Sequence, residues 1–198
     1  MTPEWLLISA VALVSLTSFG LLISRNWRFN IFTLAVQYIG VLILVSASWE
    51  IELAVTKMIA GWMAGAVLGV AIANNPAAQP KETPGRAAER IFRLLSTGLV
   101  ALVLFSLVPI SADWFVAIDS ASRWGGFILV GMGLLHLGLT NHPFRVTLGL
   151  FTMLSGFEIL YAAVESSTLV AGLLAGINLG LALVCAYLIV APLLEAAE

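Results

Sequence analysis

Residues 141–165 read NHPFRVTLGLFTMLSGFEILYAAVE, and one carboxylate in that stretch decides how the rest of the chain is read. Glu158 stands inside a run of about eighteen otherwise uncharged residues, long enough to lie in hydrocarbon, where a charged side chain costs roughly 2.5 to 3.5 kcal/mol. A residue that costly is either a neutral acid hydrogen-bonded to a neighbouring helix or a group that handles protons or gates their passage. Helical spacing puts Ser155, Glu158, Ala162 and Glu165 on one face, so both carboxylates are expected to share a small-residue stripe.

Composition points the same way. Of the 198 residues 61% are hydrophobic and 10% charged, and the mean hydropathy is +1.05. One water-soluble core does not need so much apolar sequence, and the reading is an all-α integral membrane protein. A net charge of -2 supplies no basic field for a phosphate backbone, which argues against a nucleic-acid partner. The lone Cys185 lies in an apolar run and reads as a small buried hydrophobe. No cation precedes the first apolar run, and a removable signal peptide is not expected.

Outward from Glu158, long apolar stretches predict seven spanning helices, over 5–23, 30–48, 53–73, 91–110, 123–140, 146–164 and 169–190. Helices follow because a backbone in lipid must satisfy its own hydrogen bonds. Trp5, Trp27, Trp49, Trp114 and Trp124 fall near helix ends, where interfacial anchors belong. With the N-terminus outside, Arg25, Arg28, Lys81, Arg86, Arg90, Arg93 and Arg145 are cytoplasmic, only Arg123 is external, and Lys57 lies in the membrane. Cations are retained inside, so the expected topology is N-out and C-in. The connection over 74–90, NNPAAQPKETPGRAAER, reads as a cytoplasmic linker.

A shift of 115 residues aligns Asn26 with Asn141, Phe29 with Phe144, Glu50 with Glu165, Ala60-Gly61 with Ala175-Gly176 and Gly65 with Gly180. The expected layout is a parallel repeat of three helices, a linking helix and three more. Its units are 1–73, 74–122 and 123–198. Gly61, Gly65 and Gly69, and again Gly172, Gly176 and Gly180, recur every fourth residue and predict flat faces for helix packing.

Other polar residues carry paired readings. Lys57 either extends to the outer interface near Glu50 or Glu52 or is buried, where it could exchange protons. His136 is a hydrogen-bonded packing residue or a proton relay, and Asn178 a mid-membrane hydrogen-bonding group. Together with Glu158 and Glu165 these are the candidate proton-path residues. No motif for a cofactor, metal or nucleophile is recognised.

The segment MLSGFEILYAAVE, after an Asn-bearing inner loop and before AGINLGLALV, resembles the K subunit of NADH-quinone oxidoreductase. The longer chain, with SRNWRF and the pair Thr56-Lys57, is similar to membrane component E of formate-hydrogenlyase-type nickel-iron hydrogenases. The resemblance matches Glu158 to a mid-helix glutamate of the K subunit. It implies a non-catalytic subunit beside antiporter-like and other membrane subunits of a redox-driven proton- or ion-translocating complex, in a bacterial or archaeal inner membrane. It departs at Gly176, where that family carries a second glutamate. Two other functions fit the pattern. A small-solute transporter of three-plus-one-plus-three helices is one, although the Pro-Gln motif of the SWEET carriers is missing. A purely structural assembly subunit is the other.

Overall fold

Helix start signals lie about one turn upstream of the apolar runs, and the structure begins most of its helices there. In this computed structural model, which describes residues 3–80 and 87–195, Asn26 caps α2 (Trp27–Val45) by accepting from the backbone N–H groups of Arg28 and Phe29. Asp119 caps α5 (Ser120–Gly138) through Ala121 and Ser122. Pro143, whose missing N–H costs nothing at a helix start, opens α6 (Pro143–Ala162). The remaining long helices are α1 (Glu4–Ile23), α3 (Ile51–Ala73), α4 (Ala87–Ile110) and α7 (Thr168–Glu195). Lys81 and Arg86 of the expected linker lie outside the described residues.

Six of the seven helices are long and apolar enough to cross a membrane, which makes this an all-α membrane-type architecture. The stretch expected to span at 123–140 is helical, but α5 is not among the six. Arg123, His136 and five glycines reduce its apolarity. Those glycines have a packing use. A Cβ on Gly133 would meet the backbone of Met153, and one on Gly156 of α6 would meet the Gly126 carbonyl of α5. The two helices therefore touch backbone to backbone, as small residues permit between membrane helices.

The helices α1, α2 and α3 pack in sequence, α5 and α6 pack together, α7 joins α6, and α1 faces α5, α2 faces α6 and α3 faces α7. The facing helices start 116, 116 and 117 residues apart. Helix α4 lies outside this pairing, mainly against α5.

Two apolar clusters fill the interior. One joins Leu34, Leu68, Ile72, Phe144, Phe151 and Ala182. The other joins Ala10, Val41, Leu44, Ala54, Ile159 and Ala171. Along α3 and α6, the residues between these clusters include Lys57 and Glu158, so the charges lie between two greasy layers.

The glycine faces require a correction. Gly61 abuts the Tyr38 ring, and Gly65 and Gly69 lie at ordinary contact distance from Leu34 and Ile31, but a Cβ on Gly172, Gly176 or Gly180 would meet nothing within 4 Å. Helix α7 buries Ala171, Leu174, Asn178, Ala182, Cys185 and Ile189. At roughly 100° per residue the glycine row falls well away from that face, on the exposed side of α7. Trp49 is a second correction. It is only 4% exposed, with its indole N–H donated to the Glu165 carbonyl at 2.8 Å, so it ties the α2–α3 connection to the α6–α7 turn instead of standing free as an interfacial anchor. Trp5 and Trp114 are exposed as expected.

Candidate functional site

Glu158 follows Ser155 by three residues on the inward face of α6, and Lys57 precedes Gly61 by four residues on the buried face of α3. The fold brings the two together. The Lys57 ammonium donates to Glu158 Oε1 in an ion pair whose side chains are 3% and 2% exposed. The interfacial reading of Lys57 is thereby excluded: its stem does not carry the charge out toward Glu50 or Glu52. Among the described residues, Glu158 Oε2 has no hydrogen-bond partner.

A third helix closes the site. Tyr38 of α2 is buried with its ring against Gly61, and its hydroxyl lies within electrostatic range of Glu158 and beside Ser155, without a hydrogen bond of good geometry. Two partners in an apolar setting can hold their proton in two ways, as ammonium and carboxylate or as amine and acid. Their titration belongs to the pair. Desolvation opposes the charged form and Coulomb attraction favours it, so the site can register the arrival of a nearby charge as a proton shift.

The other candidates fall elsewhere. Glu165 is not beside Glu158: it lies past the end of α6 at Ala162, seven residues and roughly 10 Å of helical rise away. Glu165 is exposed there and accepts from the Ser167 N–H at 3.0 Å. His136 is buried on α5. The antiparallel contacts of Gly133 with Met153 and of Leu137 with Gly149 place it near residue 150, about 12 Å along α6 from Glu158. Its charged neighbours are Arg145 and Arg93. Asn178 is fully buried on α7 between the two clusters, with neither amide atom partnered among the described residues.

Sequence reading missed the polar face of α2. Asn30, Thr33 and Gln37 follow at helical spacing, all three are buried, and both amide atoms of Gln37 lack a partner among the described residues. The signal was there, in polar residues recurring at i, i+3 and i+7 through an apolar span. A charge cluster at the α1–α2 corner was also missed. Arg25 and Arg93 both bond Glu89, and Arg93 and Arg145 each donate to the Leu22 carbonyl at 2.9 Å. The Arg25 hydrogen bond, with Arg93 adding to it, holds the Glu89 carboxyl below its ordinary pKa. Burial lowers that of His142 nearby in sequence to Arg145. No protein-family model, curated protein or solved structure matches the chain.

Proposed function

We propose that this chain is a non-catalytic membrane subunit of a redox-driven proton- or ion-translocating complex of the complex I and group 4 hydrogenase type. The carrying observation is the Lys57–Glu158 pair, two titratable side chains held together in the apolar interior and joined by Tyr38 and Ser155. Intramembrane ionisable residues that pair with one another mark ion pathways and proton relays. The resemblance to the K subunit of NADH-quinone oxidoreductase adds support, since Glu158 is the position matched to that subunit's glutamate. Lys57 supplies a second titratable group where Gly176 departs from the family pattern. In this reading the helices form an N-out, C-in, seven-span duplication in a bacterial or archaeal inner membrane. Antiporter-like subunits cover part of the exposed apolar surface of α4 and α7.

The test has two parts. Solubilising the native membrane in mild detergent and identifying the neighbours of this chain should find redox and antiporter-like subunits; migration alone or as a homo-oligomer would favour the solute-transporter reading. Proton pumping and electron transfer are then measured on the reconstituted complex. Glu158→Gln keeps the size of the side chain but cannot release a proton, and pumping should fall relative to electron transfer. Because that variant leaves Lys57 uncompensated, Lys57→Met/Glu158→Leu is measured beside it. An assembled double variant that pumps like the wild type would make the pair structural.

A further inference from the structure

At the α1–α2 corner Glu89 bonds Arg93 and Arg25, and the Arg145 guanidinium stands beside them. Arg145 is 5% exposed and, among the described residues, has no carboxylate at ion-pair distance and no partner for its Nε. The Leu22 carbonyl serves both Arg93 and Arg145, but a helix C-terminus carries only about half a negative charge. A buried guanidinium so weakly compensated calls for an anion.

An apolar groove, with no charged residue in its own lining, lies about one helical turn from this corner. It has a volume of about 290 Å³ and runs between α1, α4 and α5, past Phe19, Thr97, Ala101, Leu104, Trp124 and Met132. All three walls continue into the charged corner within about one turn. Leu22 follows Phe19 on α1, Arg93 precedes Thr97 on α4, and His136 follows Met132 on α5. From Thr97 to Phe105, the lining of α4 extends about 12 Å, close to one leaflet of a hydrocarbon core about 30 Å thick. The pairing of a basic end with an apolar slot of one-leaflet depth defines the ligand.

We propose that this groove binds an anionic glycerophospholipid, with one acyl chain between α1, α4 and α5 and the phosphodiester at Arg93, backed by Arg145. The charge selects an anionic headgroup over a zwitterionic one, and the groove selects a lipid over free phosphate. The site is independent of the Lys57–Glu158 pair and of any redox partner.

The test uses the full-length chain, delipidated in detergent and titrated with dihexanoyl-phosphatidylglycerol, dihexanoyl-phosphatidylcholine or glycerol phosphate. The readouts are the unfolding temperature and the lipid retained in native mass spectra. Phosphatidylglycerol should bind saturably at one per chain and raise the unfolding temperature. Arg93→Gln should weaken it by about tenfold and remove its advantage over phosphatidylcholine. Ala101→Phe, placed at the exposed wall of the groove, should weaken both lipids without unfolding the chain. The proposal is overturned if glycerol phosphate matches phosphatidylglycerol, if Ala101→Phe leaves lipid binding unchanged, or if the wild type binds no lipid saturably.

Discussion

The Lys57–Glu158 pair and the Arg25–Glu89–Arg93 cluster both join charges across helices, yet they live in different solvents. The first is sealed between apolar clusters with its side chains 3% and 2% exposed, whereas Arg25 and Glu89 are 26% and 40% exposed. Water and salt can replace either partner at the exposed cluster, so its bonds position α4 against the α1–α2 corner at little cost if broken. Nothing replaces a partner in the interior. There the protonation of one side chain and the packing of three helices are a single problem, and this is why the interior pair, with fewer hydrogen bonds, is the better candidate for function.

Removing one partner breaks the comparison most severely. Lys57→Met leaves Glu158 buried without its counter-charge, and the chain should lose about 3 to 5 kcal/mol of stability. Adding Glu158→Leu should recover most of that loss, because apolar residues of similar size suit the surroundings. Unfolding in detergent measures both variants. If the double variant is as damaged as the single one, the pair is not what the single substitution disturbs.

Matched glycines sharpen the comparison at a smaller scale. Gly61→Val would drive a side chain into the buried Tyr38 ring and should cost about 1 to 3 kcal/mol, displacing the hydroxyl beside Glu158. Gly176→Val makes the same chemical change on α7, where a Cβ meets nothing within 4 Å. Its effect on the isolated chain should stay within about 0.5 kcal/mol. Comparing their unfolding midpoints cancels the shared helix-propensity change. Equal losses would show that propensity, not the Tyr38 contact, governs Gly61. A Gly176 variant that folds but fails to join a larger assembly would place a neighbouring subunit on that face of α7.

Much of this was legible in the chain because membrane insertion constrains composition over whole helices. Apolar length located the helices, and the cost of one carboxylate in hydrocarbon singled out Glu158. Its partner was not legible. Lys57 lies 101 residues away, and one sequence holds no statement of which helices face each other. The same limit explains the glycine rows: α3 and α7 share a four-residue spacing, but the direction each row faces depends on neighbours, and the α3 row lies against Tyr38, Leu34 and Ile31 of α2 while a Cβ on the α7 row would meet nothing within 4 Å. Glu165 was misplaced for a local reason. α6 ends at Ala162, so Glu165, about two helical turns from Glu158, stands exposed in the following turn. Arg93 and Arg145 read separately as inner-loop cations, and their meeting at the Leu22 carbonyl is tertiary structure.

The smallest expected effect concerns acid at the exposed cluster. Its bonds to Arg25 and Arg93 depress the Glu89 carboxyl below the ordinary value of 4.5. A depressed carboxyl binds its proton less readily in the folded chain than in the unfolded one. Its contribution is therefore complete above that ordinary value and is lost as pH falls through the lower folded value. A spin label on Ala88→Cys, in the first turn of α4, should gain mobility across that acidic range while the rest of the bundle stays folded. Glu89→Gln should show the mobile state already at neutral pH and little change on acidification. Raising the salt should move the wild type toward the variant, since exposed charges are screened. A label whose mobility follows pH equally in both chains would assign the transition to another group and leave the attachment of α4 to its apolar contacts with α5.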